Sequence, residues 1–283
     1  MTSPAGAGAS PRQLERDAYR RRRARSRAAV AVVSTLVVLG GLAVVVLQSP
    51  GWDRVRQTYF DVGDAKAVLP DVAEAFWLNI RLFLVAEVLI LVVAITVAII
   101  RVVPSPALAP VKLLAVVYTD VFRGTPTILV VFLIGFGVPA LDLAGTPTSL
   151  FWLGVIALTL CYGAYVAEVL RAGILSVHPT QWASGRALGL SYGQTMRHIV
   201  LPQAVRRVTP PLLNDFVSLQ KDTALLSIIG LVEALRVAQV DAGRTFAFTG
   251  YVVAACFFIV ATIPLARLTD YLTVRSLRRE NGI

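Results

Sequence analysis

Residues 78–100 read LNIRLFLVAEVLILVVAITVAII, a run of 23 residues in which Arg81 and Glu87 are the only charges. An α-helix rises 1.5 Å per residue, so this run can cross the hydrocarbon core of a bilayer, which is about 30 Å thick. The sequence contains six such apolar runs in all, at 28–47, 78–100, 113–138, 150–170, 199–231 and 251–272. The pattern predicts an all-α membrane protein with about six transmembrane helices.

Composition supports the same class. Hydrophobic residues make up 56% of the 283 residues and charged residues only 16%, against about 25% charged in an ordinary soluble domain. Six helices and their loops use up this length, which leaves no room for a separate enzymatic domain. The two cysteines lie in different apolar runs and the two histidines lack metal-ligand spacing, so neither a disulfide framework nor a metal site is indicated.

The net charge of +10 is concentrated at the N-terminus, where eight arginines precede the first apolar run. This placement is typical of a cytoplasmic membrane anchor rather than of an arm that binds nucleic acid. The run at 28–47 is not followed by a small-residue cleavage site, which favours a retained helix over a signal peptide.

The positive-inside rule then orients the chain. With the N-terminus inside, 19 of the 27 basic residues fall on the cytoplasmic side, 5 outside and 3 within spans. We therefore expect both termini in the cytoplasm, with residues 1–27 and 273–283 as cytoplasmic tails. Residues 28–47 would form an extra N-terminal helix, and 48–77 an extracytoplasmic loop.

The longest internal loop, 172–198, carries its own helix signals. The dipeptide His178-Pro179 is a helix start, Gly189 can end that helix, and Ser191 with Gln194 has the spacing of a capping box for a second short helix. The pattern predicts a helix-turn-helix at the inner face of the membrane, a rigid protrusion suited to passing force to a soluble partner. The alternative is a plain amphipathic loop.

This loop resembles the coupling loop of permease subunits of bacterial ABC importers, whose pattern is E-A-A, three residues, G, nine residues, I, one residue, L-P. Gly189, Ile199, Leu201 and Pro202 stand at the matching offsets, whereas 183–185 read A-S-G in place of E-A-A. Further matching stretches are RGTP at 123–126, YVAEVLRAGI at 165–174, LPQA at 201–204 and NDFVSLQKDT at 214–223. Together they resemble the polar amino acid permeases of the histidine, glutamine, glutamate and arginine group, over residues 78–272 with a five-helix core.

The resemblance implies a non-catalytic permease subunit in the bacterial inner membrane, embedded in the lipid bilayer and without a nucleic-acid partner. Its expected partners are ATP-binding subunits, an extracytoplasmic amino-acid-binding protein and a second permease chain, which can be a copy of this one or a different one. The chain lacks a G-x-x-x-x-G-K-[ST] loop, so it carries no cofactor of its own, and ATP and Mg belong on the partner subunit. The residues expected to couple to that subunit are Trp182, Ala183, Ser184, Gly185, Arg186, Gly189 and Leu190.

Charges within spans need a partner or water. Asp120 with Arg123 and Glu168 with Arg171 are spaced to pair along one helix face. Glu87 lies near the bilayer midplane, where it can face an amino group of the substrate or pair with Arg81 or with a cation on another helix.

The fifth run, 199–231, is unusually polar. Its candidate pathway residues, which together with Glu87 form the expected substrate pathway, are Asn214, Asp215, Ser218, Gln220 and Asp222. Interhelical hydrogen bonding is the alternative role for them. We expect the membrane helix to open at Leu201-Pro202 and to kink at Pro210-Pro211, and a second break at Gly124-Thr125-Pro126.

Two other function classes compete with the permease. A gradient-driven secondary transporter would work alone, but the chain shows no evident internal repeat. A membrane-embedded enzyme would need a cluster of catalytic side chains near one face, and the sequence offers neither a histidine-carboxylate cluster nor a nucleophile motif.

Overall fold

A computed structural model describes residues 11–280, with the backbone alone given for part of the first helix and for 275–280. Within these residues every regular element is a helix. In chain order the α-helices are α1 (Pro11–Leu47), α2 (Trp52–Tyr59), α3 (Val62–Val102), α4 (Ala109–Gly124), α5 (Thr127–Phe132), α6 (Val138–Ala140), α7 (Leu150–Leu175), α8 (Pro179–Ala187), α9 (Tyr192–Thr195), α10 (Leu201–Asp222), α11 (Ala234–Thr245) and α12 (Thr249–Glu280). The prediction of an all-helical membrane fold is confirmed.

Among residues 11–280, four helical stretches are individually long and apolar enough to cross a bilayer, and two bent helix pairs bring the number to six if each pair is one span. The first pair joins Pro106–Gly124 to Thr127–Ala140 with a bend of 106°. The bend falls at Gly124-Thr125-Pro126, where the sequence predicts a break. Thr125 adopts φ −101° and ψ 130° because the proline ring after it disfavours the helical conformation. The run at 113–138 is therefore two helices rather than one straight span.

The second pair joins Tyr192–Ile229 to Ala234–Thr245 with a bend of 47°. Regular α-helix gives way to a 3₁₀ segment, Thr223–Ile229, and the chain turns at Gly230, whose φ is +90°. The expected kink site, Pro210-Pro211, instead lies inside the continuous helix α10.

Residues 48–77, expected to form a loop, contain α2 and the first turns of α3. Phe60 and Asp61 separate the two helices, and the Asp61 carboxylate accepts hydrogen bonds from the backbone N–H groups of Gly63 (2.7 Å) and Asp64 (2.9 Å). This is N-cap geometry, so α3 begins at Val62, well before the apolar run that starts at residue 78.

The chain divides into two units, one ending at Gln57 and the other beginning at Thr58. In the first unit, no residue of the apolar stretch Ser26–Leu47 of α1 is buried, as expected of a helix whose surroundings are lipid. In the second unit, α7 is the central helix and packs against α3, α4, α5 and α10. Gly173 allows the close approach of α7 and α10, because a Cβ there would overlap the side chain of Val208.

Candidate functional site

The segment between α7 and α10 forms the predicted helix-turn-helix. His178 caps α8 through Nδ1, which accepts from the backbone N–H of Thr180 at 3.3 Å. At the other end of α8, the Gly189 N–H donates to the carbonyl of Arg186 at 2.9 Å and the Leu190 N–H to that of Gly185 at 3.0 Å. Gly189 has φ +76°, a left-handed conformation that glycine adopts without steric penalty. The predicted start and stop of this helix are confirmed.

The capping box of the second helix is also present. The Ser191 hydroxyl accepts from the Gln194 N–H at 3.3 Å, and the Gln194 amide oxygen accepts from the Ser191 N–H at 2.8 Å. This helix, however, is not a separate element, because it continues through a π-helical turn at Met196–Val200 into α10. Pro202 lacks an N–H and its ring crowds the carbonyl four residues earlier, which accounts for the wider turn. The membrane helix therefore does not begin at Leu201.

α8 and the start of α10 are held together by close packing. A Cβ at Gly185 would lie 2.6 Å from Thr195 Cγ2 and 2.7 Å from Thr195 Oγ1, so glycine is required for this separation. The rings of Trp182 and Tyr192 stack with centroids 5.3 Å apart, and Trp182 also packs on a small apolar cluster that contains Val200. α8 is thus fixed on the membrane domain, as a lever for transmitting force requires.

The outer side of α8 is solvent-accessible. Ala183, Ser184 and Arg186 are exposed, and Leu188, just beyond the helix, is 76% exposed. The Ser184 hydroxyl donates to the carbonyl of Thr180 at 2.9 Å, which occupies it within the helix. Half-buried Leu190 lines, with Trp182 and Arg186, an open cleft of about 590 Å³ beside α8.

Charged residues near the C-terminal ends of α3 and α7 form one network. Glu168 accepts two hydrogen bonds from Arg171, at 2.5 and 3.0 Å, which confirms the predicted pair. Arg101 of α3 also donates to Glu168 at 2.7 Å and to the Thr119 hydroxyl at 2.9 Å. Sequence reasoning misses Arg101, which is 67 residues away and has no local signal of its partner. The network ties α3, α4 and α7 together.

The predicted pair of Asp120 and Arg123 does not form, and both side chains are exposed. The Arg123 guanidinium instead lies over the ring of Tyr165, 6.0 Å from its centroid, and the Tyr165 hydroxyl donates to the Arg123 carbonyl at 3.1 Å. A cation–π contact therefore replaces the ion pair at the break after α4.

Glu87 and Asp215 lie on α3 and α10, two helices that are in contact. The helices touch through Phe83, one turn before Glu87, and Phe216, next to Asp215, whose ring centroids are 4.6 Å apart. Asp215 Oδ2 is buried and has no hydrogen-bond partner among the described residues. Arg81 is not the partner of Glu87, since its guanidinium lies over the ring of Phe151 at 5.8 Å from the centroid.

The other polar residues of α10 are divided between different surroundings. Gln220 is buried and accepts a hydrogen bond from the Thr262 hydroxyl of α12 at 2.7 Å. Asp222 accepts one from the Tyr162 hydroxyl of α7 at 2.8 Å. Ser218 is half-buried and Asn214 exposed. Interhelical hydrogen bonding thus accounts for Asp222 and for the amide oxygen of Gln220, whereas Asp215 Oδ2 and Gln220 Nε2 have no bonding partner among the described residues.

A third polar cluster, formed by Asn79, Thr223 and Glu233, was not predicted from the sequence. Glu233 is fully buried and caps α11 by accepting from the N–H groups of Leu235 and Arg236 at 3.0 and 2.8 Å. Asn79 of α3 donates to Glu233 at 2.9 Å and to the Thr223 hydroxyl at 3.0 Å. The amide at position 79 within an apolar run was the available signal, because a polar side chain in a span needs a partner. The cluster fixes the bend between α10 and α11.

Comparison with known proteins identifies the same architecture. Residues 107–278 match the family described as binding-protein-dependent transport system inner membrane component. The chain is 35% identical over 185 residues to the probable glutamine ABC transporter permease protein of Bacillus subtilis, covering 65% of this chain and 83% of that protein. It is 34% identical over 221 residues to the glutamate transport system permease protein of Corynebacterium glutamicum, covering 73% and 96%.

Solved structures agree with these relatives. A crystal structure of an amino acid ABC transporter with histidines superposes with a TM-score of 0.66 at 30% identity, covering 73% of this chain and 94% of that chain. The MetNI methionine ABC transporter in an inward-facing conformation gives a TM-score of 0.60 at 15% identity, covering 73% and 96%, and shares the fold.

Proposed function

Because this chain belongs to the family of binding-protein-dependent transport system inner membrane components, we propose that it forms half of the pathway of an ATP-driven importer of a polar amino acid. A second permease chain forms the other half. ATP-binding subunits dock on α8 and the turn at Gly189, and an extracytoplasmic binding protein delivers the substrate. The chain itself catalyses no covalent step, and ATP and Mg bind to the partner subunits.

The observation that carries this proposal is the rigid helix-turn-helix. α8 is held through Gly185 against Thr195 and through the Trp182–Tyr192 stack, and the same continuous helix leads from Thr195 into the membrane as α10. A displacement of α8 by a docked subunit is therefore transmitted directly to the helix that carries the polar residues. This arrangement supports the assignment of Trp182, Ala183, Ser184, Gly185, Arg186, Gly189 and Leu190 to coupling.

The pair of Glu87 and Asp215 supports a substrate pathway along α10. Two carboxylates on touching helices within a span are costly unless a cation or water accompanies them, and no cation of the described residues pairs with either. An amino group of the substrate would supply that charge during passage. Asn214 and Ser218 lie on neighbouring turns of the same helix, and Gln220 and Asp222 hold that helix to α12 and α7.

The energy source is tested by uptake of radiolabelled glutamine, glutamate, arginine and histidine in cells that depend on this chain for growth. The proposal predicts uptake that survives a protonophore and stops when arsenate depletes ATP. Uptake that stops with the protonophore while ATP is intact would support a gradient-driven transporter instead.

The pathway residues are tested with Asp215→Asn and Glu87→Gln in the same cells. Both changes keep the size of the side chain and remove the negative charge. We expect each to lower uptake, while Asp142→Asn, an exposed residue outside the spans, serves as the matched control and retains it. Wild-type uptake by both charge-neutral variants would remove Glu87 and Asp215 from the pathway.

A further inference from the structure

The segment of the chain that contains α8 is basic and carries no acidic residue. Between Glu168 and Asp215 the chain contains five arginines and neither Asp nor Glu. Arg171 is paired with Glu168, and Arg207 donates to the Ser176 carbonyl. Arg186 on α8 and Arg197, in the π-helical turn after α9, are exposed, and neither makes an ion pair with a described residue.

Arg186 lacks an ion-pair partner on α8 because the residue one turn before it, Ala183, is uncharged. Ala183 stands where the importer pattern has glutamate, and positions 183 and 186 are neighbours on one face of α8. A glutamate at 183 would pair with Arg186 along the helix and would present a carboxylate to whatever docks there. With alanine, the same face presents a guanidinium alone.

The cleft beside α8 adds a second feature to this face. Arg186 lines it together with the stacked rings of Trp182 and Tyr192. Thr195, also in the lining, is 1% exposed, and its hydroxyl has no hydrogen-bond partner among the described residues. Because that hydroxyl is buried against α8 near Gly185, the exposed guanidinium of Arg186 is the group of this cleft that can meet an anionic group of a partner.

We propose that the ATP-binding subunit that docks on this chain presents an acidic groove to α8 and places a carboxylate against Arg186. This inference rests on the proposed function and defines the chemistry of the partner. In this contact the positive charge lies on the permease and the negative charge on the ATP-binding subunit. A glutamate at position 183 would place the negative charge on the permease instead. Leu188, exposed at the tip of the same helix, supplies the apolar contact next to the ion pair.

The test uses the complex of the full-length tagged chain with its ATP-binding subunit, purified in dodecyl maltoside. The measurements are the retention of that subunit over steps of NaCl and the ATPase activity of the complex. Ala183→Glu and Arg186→Glu both place a carboxylate against the acidic groove. We expect each to weaken association about tenfold, because like charges at an interface repel. Ala183→Gln has the size of glutamate without its charge and should lose much less than Ala183→Glu.

The control for net charge is Arg56→Gln on α2, which removes one exposed arginine elsewhere and should leave association unchanged. Stronger or equal association of Ala183→Glu would overturn the inference. A second result would also overturn the inference: Ala183→Glu and Arg186→Glu associate normally in detergent alone and lose association only when phosphatidylglycerol is added. An anionic lipid, and not the ATP-binding subunit, would then be the occupant of the cleft. If the wild-type chain purified without any ATP-binding subunit, the proposed function would fail together with the inference.

Discussion

Replacement of Gly189 tests whether the turn after α8 is needed for coupling. At φ +76° an L-residue is disfavoured by about 1–2 kcal/mol, and a β-branched residue by more. No atom lies within 4 Å of a Cβ built at this position, so the cost comes from the backbone alone. For Gly189→Ala, this free energy lowers the equilibrium constant for forming the native turn about 5- to 30-fold. We expect Gly189→Ala to reduce uptake and Gly189→Val to abolish it.

The matched control is Gly193→Ala. Gly193 also has open space around its Cβ position, but it lies in α9 with ordinary helical φ, where alanine is favoured over glycine by about 0.5–1 kcal/mol. Uptake of labelled amino acid is measured per amount of chain in the membrane, determined by immunoblot. Gly193→Ala should retain uptake. Full uptake by Gly189→Val at a normal membrane level would refute the role of this turn in coupling.

Three further variants test the packing and polar contacts through thermal unfolding in detergent. Gly173→Ala should destabilise the protein by about 1–3 kcal/mol, because the added Cβ overlaps α10; an unchanged midpoint would show that the helices can separate without cost. Glu168→Gln removes the carboxylate shared by two arginines and should cost about 1.5–3 kcal/mol, whereas Asp270→Asn, in an exposed pair 3.9 Å apart, should change the midpoint little. Asn79→Leu removes two donors from buried acceptors and should cost about 1–3 kcal/mol; a stability equal to wild type would mean that Glu233 finds other partners.

Local features of this fold could be predicted from the sequence because their causes lie within a few residues. The left-handed turn at Gly189, the capping box of Ser191 and Gln194, and the break before Pro126 each depend on backbone preferences of adjacent positions. The pair of Glu168 and Arg171 is also local, since it joins neighbouring turns of one helix.

Contacts between distant helices could not be predicted in the same way. Arg101 reaches Glu168, and Asn79 reaches Glu233, only after several membrane helices have packed, and the sequence carries no separate signal of these distances. The Asp120–Arg123 prediction was wrong because an aromatic ring, Tyr165, lies closer to the guanidinium than helix spacing alone reveals. Helix α3 extends earlier than its apolar run because Asp61 caps it, which depends on hydrogen bonds rather than on hydropathy.

The orientation of the termini stays a prediction of the positive-inside count. Cysteine accessibility can test it, because Cys256 lies exposed on α12 and Cys161 is buried in α7. In a Cys256→Ala background, a cysteine at Ser26 should react with a membrane-impermeant maleimide only after the cells are opened, whereas labelling of intact cells would place this end of α1 outside.

Purification of the tagged chain from its native membranes in mild detergent tests the central claim most directly. The account predicts that an ATP-binding subunit co-purifies, that the complex hydrolyses ATP, and that Gly189→Val loses both while remaining in the membrane. A chain that purifies without an ATP-binding subunit and without ATPase activity would contradict the account.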